Sequence, residues 1–475
     1  MLIRRSKILL ALVLLLALAL RVCQLQDHLL FVYDQGRDAF TIAGILKGRF
    51  TLIGPTTGLQ GFFLGPFFYY FLTPWYYLSK GDPLLPAYFL QFFNLLFGGY
   101  FIYKLLKKVD PKLNVVLVFT VLGFSFYHWN FSKWLSNPSP IISFAPLYFY
   151  LLYLFIKEGR FSYLAGLVLS VCLQTEFSNA VFFLPVSFLA FLIGFLKYKK
   201  TASLNDYVYY LLGVITGIMP LVLFNFRHDN IIINSLLNSF SESKNVDLWQ
   251  VWKTRPFYII GDFSKFIFGE KKFFPLLLLP FLFLKKQKKN LGFYILLLWL
   301  FVPLFLVLFY TGNEGNFWDY YLISQYLAFL LFFILMLSSL AQLNKYIFAV
   351  VLSLFLLLNL RAIYFGWLPE NNNISLGSYK KVVERVYELA SGKDFNLEVY
   401  VPNLQPIAYQ YLFDWYGSGK YNYIPSKIEE KQLFFVLEPG NDYWREDWLK
   451  LRENDGVLSA IYKVGIIEIQ KRTRE

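Results

Sequence analysis

The sequence predicts an all-α polytopic membrane protein that ends in a small α/β domain outside the membrane. Hydrophobic residues make up 57% of the 475 residues and charged residues only 16%, whereas a soluble domain is typically about 45–50% apolar and about 25% charged. The apolar residues form runs long enough to cross a bilayer as helix, which takes about 20 residues. The formal net charge of +14 lies in short clusters between these runs, as at the flanks of membrane spans, and this placement excludes a nucleic-acid partner.

The basic clusters between the apolar runs predict the topology. Short loops rich in Lys and Arg stay in the cytoplasm, and one assignment places all of these clusters inside. It leaves residues 62–79 as a re-entrant or juxtamembrane hairpin, which Gly65, Pro66 and Pro74 interrupt. It gives about eleven transmembrane helices, with a cytoplasmic N-terminus and an outside C-terminus. The apolar segments are 8–22, 62–79, 84–106, 113–127, 138–156, 161–173, 179–196, 207–225, 273–284, 291–310, 319–338 and 345–365.

The predicted boundary between two domains lies at residue 365. Residues 1–365 form the membrane domain, and residues 366–475 form the domain outside. In the second domain we expect a helix over 379–390, strands over 397–401 and 433–437, and a strand or hairpin over 460–469. A length of about 100 residues is normal for a domain, so this part is predicted to fold as a small α/β unit.

The same topology collects many of the other polar residues on the outer side of the membrane. The basic loops alone fix the topology, so this collection is an independent indication of a site on that face. Solvated charges in outer loops are the alternative for any one of these residues. The residues are Asp34, Arg37, Asp38, His128, Glu176, Arg227, His228, Asp229, Glu314 and Asp319.

The first outer loop holds two carboxylates and an arginine close together. We expect a helix over residues 37–47, with Asp34 near its N-cap and ionised there. Asp38 follows about one turn later. An ionised carboxylate can take a proton from an acceptor hydroxyl or amine, and the Arg37 guanidinium can hold a phosphate leaving group. The alternative is a capping aspartate beside a solvated charge cluster.

Several short motifs follow one another along nearly the whole chain. They are Asp34-Gln35-Gly36-Arg37-Asp38-Ala39, the proline- and aromatic-rich segment 59–77, Trp134-Leu135-Ser136-Asn137-Pro138, Leu173-Gln174-Thr175-Glu176-Phe177, Phe224-Asn225-Phe226-Arg227-His228-Asp229-Asn230 and Asp319-Tyr320-Tyr321-Leu322. In their order and spacing the sequence resembles the GT-C superfamily of glycosyltransferases. The resemblance is to the family 39-like bacterial enzymes, which are related to protein O-mannosyltransferases and to the aminoarabinose transferase of lipid A. Gln35 and Asp38 depart from the Glu and Tyr of that family's first motif.

This resemblance implies a GT-C-like fold and a glycosyltransferase, transferring a hexose or a pentose, in the plasma (inner) membrane. The donor would be a polyprenyl-phosphate-linked sugar and the acceptor an envelope glycan, lipid or protein. Separately from the resemblance, we expect no cofactor. Asp34 would be the general base, and Arg37 and Arg227 would bind the lipid phosphate. Lys80 is the nearest match to a phosphate-binding lysine near the hairpin of the aminoarabinose branch. The further substrate-binding residues are Asp38, Gln60, Glu176, His228, Asp319 and Tyr320.

Three other interpretations follow from the residues. A divalent metal could bind between Glu314 and Asp319, but oxygen-only sites need several ligands and the sequence offers only these two. A transporter or flippase of a lipid-linked substrate would place ionisable groups inside its spans near the midplane, whereas the charges here lie mostly at span ends. A catalytically inactive scaffold would keep the same fold, and only an activity assay excludes it.

Overall fold

A computed structural model of the chain describes residues 2–198, 203–242, 246–283, 290–311, 317–367, 374–402 and 404–474. It confirms the predicted fold class, because a helical bundle of membrane-spanning character precedes a small mixed sheet. The loop residues Lys199, Lys200 and Glu314, and the basic cluster at 285–289, lie outside the described residues.

The helices of the membrane part follow one another with short connections. They are α1 (Leu2–Val22), α2 (Leu25–His28), α3 (Tyr33–Leu46), α4 (Phe67–Leu78), α5 (Leu84–Phe92), α6 (Gly99–Val109), α7 (Val115–Phe124), α8 (Phe126–Lys133), α9 (Ile141–Glu158), α10 (Ser162–Thr175), α11 (Phe177–Ala180), α12 (Phe183–Tyr198), α13 (Leu204–Arg227), α14 (Ile231–Glu242), α15 (Leu248–Phe268), α16 (Leu279–Leu282), α17 (Leu291–Val307), α18 (Ile323–Leu343) and α19 (Lys345–Trp367). A π-helical stretch, Phe93–Gly98, joins α5 to α6. Two 3₁₀ stretches, Lys271–Leu278 and Asp319–Leu322, precede α16 and α18.

Several of these helices have the length and composition of membrane spans. Six qualify in the described part of the chain, and a seventh is obtained if α7 and α8 form one bent span. Two shorter apolar helices, α10 and α17, accompany them. The chain is therefore an integral membrane protein. The predicted number of about eleven crossings and the orientation of the bundle stay predictions.

The predicted hairpin contains a helix that is too short to cross the membrane. Helix α4 has 12 residues, which extend about 18 Å at 1.5 Å each, against a hydrocarbon core of about 30 Å. An irregular loop precedes it and closes on itself, since the Gly54 amide donates to the Leu64 carbonyl at 2.7 Å and the Leu64 amide to the Pro55 carbonyl at 3.0 Å. We call residues 54–65 the hairpin loop.

A buried arginine fixes the sharp turn between α7 and α8, whose axes differ by 64°. Arg21, at the end of α1, donates to the carbonyls of Gly123 at 2.7 Å and Leu122 at 3.2 Å. These carbonyls are unsatisfied within α7 because the helix ends there. Arg21 also donates to the Ala17 carbonyl at 2.9 Å, within α1, and its Nη2 lies 3.0 Å from Nδ1 of His128. These contacts of Arg21 fix the direction of α8 and of the residues that follow it.

The C-terminal part is a four-stranded sheet with helices packed against it. The strand order is β1-β2-β4-β3, with β1 parallel to β2 and the other pairs antiparallel. The predicted strand or hairpin over 460–469 is a hairpin of β3 and β4. The elements are α20 (Leu376–Ala390), β1 (Phe395–Tyr400), α21 (Ile407–Leu412), the π-helical Phe413–Gly417, α22 (Ser418–Tyr421), β2 (Gln432–Leu437), α23 (Asp442–Lys450), β3 (Val457–Val464) and β4 (Ile467–Thr473).

One apolar core joins the C-terminal part to the first outer segment of the membrane part. It contains Leu29 and Ala39 from the beginning of the chain together with Tyr379, Phe413 and Phe434 from its end. The predicted domain boundary at residue 365 falls near the end of α19. The shared core means that the two parts are not packed independently, so this boundary stays a prediction.

Candidate functional site

Helix α3 begins four residues earlier than predicted, which changes the position of Asp34. The Gln35 side chain accepts a hydrogen bond from the Val32 amide at 3.1 Å. This bond satisfies the backbone amide of the residue that precedes the helix. Asp34 therefore lies in the first turn of the helix and not at its cap. A carboxylate in the first turn is stabilised by the helix dipole.

Arg37 bridges the two carboxylates of α3. Its Nη1 lies 2.9 Å from Oδ1 of Asp34. Its Nε and Nη2 donate to Oδ1 of Asp38 at 2.9 and 2.8 Å. The side chain of Asp34 is 55% exposed and that of Asp38 only 4%. Asp34 is therefore the carboxylate that a substrate can reach, and Asp38 is the one that holds Arg37.

The hairpin supplies two further contacts to this cluster. The Tyr69 hydroxyl, on α4, donates to Oδ1 of Asp38 at 3.1 Å. Thr56, in the hairpin loop, accepts from Nη1 of Arg37 at 2.9 Å. The guanidinium is thus engaged on both edges, and the second oxygen of Asp38 is buried without a hydrogen-bond partner among the described residues.

The surroundings of Asp38 set its charge. Burial raises the pKa of Asp38 to about 6, and the Arg37 guanidinium and the Tyr69 hydroxyl limit the rise. Asp38 is consequently ionised at neutral pH and becomes protonated in mildly acidic solution, when its ion pair with Arg37 is lost.

Three of the motifs that lie far apart in the sequence meet beside this cluster. Asn137 donates to the Thr175 carbonyl at 2.7 Å, and Asn179 donates to the Tyr321 carbonyl at 2.6 Å. The rings of Trp134 and Tyr320 lie 5.6 Å apart. The structure therefore gathers the Trp134, Glu176 and Tyr320 motifs on one side of the bundle.

Tyr320 connects these motifs to the carboxylates of α3. Its hydroxyl interacts electrostatically with both Glu176 and Asp34. Glu176 lies in the break between α10 and α11, buried, and accepts from the Ser178 hydroxyl. Burial raises the pKa of Glu176 to about 7, and the bond from Ser178 opposes the rise. A second acidic group therefore faces the same region as Asp34.

Arg227 and His228 lie at the end of α13, both exposed. Nδ1 of His228 lies 2.8 Å from the Phe224 carbonyl, and its ring stacks on Phe224 at 4.0 Å. The side chain of Arg227 has no hydrogen bond or ion pair with any residue that the structure describes.

The hairpin loop reaches the same end of α13. Phe63 contacts Phe224 with ring centroids 5.6 Å apart, and the Gln60 carbonyl accepts from Ser235 on α14. The loop therefore contacts Arg37 through Thr56 and the Arg227 segment through Phe63. Gln60 takes part through its backbone, while its side chain is exposed.

Lys80 lies at the junction with the C-terminal part. It has a positive φ of 53°, and its carbonyl accepts from Nε1 of Trp415 at 2.6 Å. The neighbouring Gly81 carbonyl accepts from the Tyr411 hydroxyl at 2.7 Å. The backbone of Lys80 thus binds the C-terminal part. The structure records no contact between the Lys80 side chain and the Asp34 cluster.

A cavity of about 340 Å³ is lined in part by Tyr320. Asp319, predicted as a substrate-binding residue, lines it. Two of its charged or titratable groups, His28 and Lys133, were not among the predicted site residues. Tyr69 and Thr56 were also missed. Lys133 ends α8, a helix rich in aromatic residues, so a charge beside these aromatics was the available signal. The cavity is lined by His28, Leu30, Asn130, Phe131, Lys133, Trp134, Asp319 and Tyr320.

The metal hypothesis rests on Glu314 and Asp319, and Glu314 falls outside the described residues. Elsewhere in the described ranges no three His, Cys, Asp or Glu side chains are grouped as metal ligands.

No protein-family model matches the sequence, and no curated protein matches it either. Two solved structures share its fold. ArnT from Cupriavidus metallidurans bound to undecaprenyl phosphate is 10% identical, with a TM-score of 0.58, and the match covers 97% of each chain. The same protein in the apo state is 9% identical, with a TM-score of 0.57 and 97% coverage of each chain. At this identity the likeness shows the fold alone.

Proposed function

We propose that this protein is a membrane glycosyltransferase of the GT-C, family 39-like kind, which moves a sugar from a polyprenyl-phosphate donor to an envelope acceptor outside the cytoplasm. The observation that carries the proposal is the Asp34–Arg37–Asp38 cluster. One carboxylate is exposed and the other is buried, and a single guanidinium holds both. Such a difference between two neighbouring acids gives them separate tasks.

The reaction assigns Asp34 to the acceptor. Asp34 takes the proton of an acceptor hydroxyl or amine while the acceptor atom forms a bond to the anomeric carbon of the sugar. The bond between that carbon and the phosphate oxygen breaks, and its electron pair leaves with the polyprenyl phosphate. The proton then passes from Asp34 to solvent, which its exposure permits.

Arg37 is better suited to position Asp34 than to bind the phosphate by itself. Its Nε and Nη2 are engaged by Asp38, and its Nη1 by Thr56 and Asp34, so a phosphate would have to displace existing partners. Arg227 is exposed and without such partners among the described residues. We therefore assign the lipid phosphate chiefly to Arg227, with Arg37 as the residue that fixes the base.

A lipid-linked donor fits both the fold and its location. ArnT, which has the same fold, was solved with undecaprenyl phosphate. A polyprenyl tail gains about 0.8 kcal/mol for each CH₂ that it buries, and the apolar bundle beside the cluster offers such burial. A phosphate at the membrane surface would lie within reach of residues at the ends of helices, as Asp34 and Arg227 are.

Transfer in proteoliposomes tests the proposal and separates it from a flippase. The purified protein is supplied with a panel of polyprenyl-phosphate monosaccharides and with an envelope extract as acceptor. A glycosyltransferase releases sugar-free polyprenyl phosphate and adds a sugar mass to the acceptor, as mass spectrometry detects. Movement of the intact donor across the bilayer without either product would reject the proposal and favour a flippase.

A further inference from the structure

The cavity beside Tyr320 holds polar groups that lack partners. Nε2 of His28 is buried with no hydrogen bond from any described residue. The Lys133 ammonium lies 3.7 Å from the centroid of the Trp129 ring, and neither it nor Asp319 forms an ion pair within the described ranges. Buried polar atoms are almost always hydrogen-bonded, so Nε2 of His28, with the half-buried Lys133 and Asp319 beside it in the cavity, indicates a polar ligand. The volume of about 340 Å³ is in the range of small-molecule sites.

The charges of the cavity select the kind of ligand. Burial, and then the charge of Lys133, lower the pKa of His28, so its imidazole is neutral near neutral pH. The cavity is lined by one basic and one acidic side chain, Lys133 and Asp319. A simple anion would meet the acidic side chain as well as the basic one, and an apolar lipid tail would leave both unpaired at a cost. A neutral ring with several hydroxyl groups adds no charge to the cavity and can form hydrogen bonds with both side chains.

The hydrogen-bonding groups match the hydroxyls of a sugar. A hydroxyl both donates and accepts. Lys133 supplies a donor and Asp319 supplies acceptors, whereas Asn130 can do both. Trp134 and Tyr320 supply aromatic walls, with ring planes at 60°, against which the apolar C–H face of a sugar ring can pack.

The position of the cavity relates it to the proposed reaction. Tyr320 lines it and interacts with the Asp34 carboxylate. A sugar in the cavity would therefore lie on the same side of the bundle as the proposed base.

We infer that this cavity is the subsite for the sugar ring of the donor, with Lys133 and Asp319 as its principal hydrogen-bonding residues. The inference rests on the proposed function and extends it from the lipid phosphate to the sugar.

The test compares two ligands that differ only in the sugar. Farnesyl phosphate and a panel of farnesyl phosphate monosaccharides are titrated calorimetrically against the full-length protein in detergent. We expect Lys133→Met and Asp319→Asn each to weaken binding of the preferred sugar-bearing ligand by about tenfold or more. Binding of bare farnesyl phosphate should stay within about twofold of wild type. Lys253→Met is the matched control, because Lys253 also lies over a tryptophan ring, Trp249, at 5.1 Å.

The outcomes separate this subsite from the proposed function. Equal losses for both ligands would make Lys133 a phosphate ligand and overturn the inference, and so would unchanged binding of both in either folded variant. A wild-type protein that binds the bare and sugar-bearing ligands equally would also overturn it. Sugar-selective binding without any transfer would instead reject the glycosyltransferase and leave the subsite intact. Thermal melting of each variant confirms that it is folded.

Discussion

A β-carbon added to Gly36 would lie 2.7 Å from both the Cα and the backbone nitrogen of Ala408. Gly36 stands between Asp34 and Arg37 on α3, and Ala408 belongs to α21 of the C-terminal part. The backbone of α21 therefore packs directly on the helix that carries the proposed base. The C-terminal part helps to fix the position of α3, and its docking requires glycine at this position.

Gly36→Ala should loosen that docking. The added methyl group meets backbone atoms, which cannot rotate away, and overpacking of this kind costs about 1–3 kcal/mol. We expect a lower melting temperature and reduced transfer activity, measured on purified protein in detergent.

Gly44→Ala is the matched control on the same helix. Its β-carbon would meet only the flexible end of Arg49, at 3.6 Å or more, and alanine is favoured over glycine within a helix by about 0.5–1 kcal/mol. This variant should be as stable as wild type or more so. Equal behaviour of the two variants would show that the Gly36 contact does not matter.

Protonation of Asp38 should lower activity in mildly acidic solution. Its pKa of about 6 means that the Arg37–Asp38 ion pair weakens below that pH. Arg37 is then no longer held in place beside Asp34. We expect the transfer rate to fall as the pH drops through about 6. In Asp38→Asn this limb should disappear or move to lower pH, while the rate at neutral pH falls less than in Asp34→Asn. An unchanged acid limb in Asp38→Asn would contradict this assignment.

The same group affects stability in the opposite direction. Folding raises the pKa of Asp38 from 3.8, so the folded state holds the proton more tightly than the unfolded state. The stabilising contribution is therefore greatest below pH 3.8, is lost as the pH rises to about 6, and is absent above it. Thermal melting of wild type and Asp38→Asn across this range measures the difference.

Arg227→Ala should weaken use of the donor more than use of the acceptor. A charge-assisted hydrogen bond is worth about 1.5–3 kcal/mol, which corresponds to about tenfold or more in apparent affinity. Arg227→Lys should recover only part of it, because lysine lacks the two-pronged geometry. Separate titrations of donor and acceptor decide, with Arg385→Ala on α20 as a surface control. An unchanged donor affinity in Arg227→Ala would remove this residue from the site.

Cysteine labelling in sealed cells tests the predicted orientation. Lys112 and Glu446 are both exposed, the first in the loop between α6 and α7 and the second on α23. In a Cys23→Ser background, needed because Cys23 is exposed, an impermeant reagent should label Glu446→Cys and leave Lys112→Cys unlabelled. The reverse pattern would invert the topology and place the Asp34 cluster on the cytoplasmic face.

Much of the architecture was predictable because hydrophobic runs and basic loops are local signals. The helical bundle, the short hairpin helix and the strands around 397–401 and 433–437 all follow from such patterns. The start of α3 was predicted wrongly, since the helix begins at Tyr33 and the Gln35 side chain accepts from the Val32 amide just before it. Side-chain capping of this kind depends on a rotamer that the sequence does not specify.

The site was predictable only in part, because its contacts join distant segments. The sequence motifs indicated Asp34, Arg37 and Asp38, and the structure records the contacts among them. The sequence could not show that Tyr69 and Thr56 would contact the residues of these ion pairs. Nor could it show that Lys133 would line a cavity with Asp319, since the two are far apart along the chain. Lys80 was chosen for its place beside the hairpin, but its backbone holds Trp415.

The rate of sugar transfer by Asp34→Asn tests the central claim most directly. Asparagine keeps the shape and a hydrogen-bonding oxygen at this position but cannot accept the acceptor's proton. General base catalysis typically contributes about 10²–10⁴-fold. We predict a loss of turnover of that order from a polyprenyl-phosphate donor, with unchanged expression and melting temperature, whereas Asp447→Asn, on the surface of α23, should transfer at the wild-type rate. Transfer by Asp34→Asn at close to the wild-type rate would contradict the mechanism.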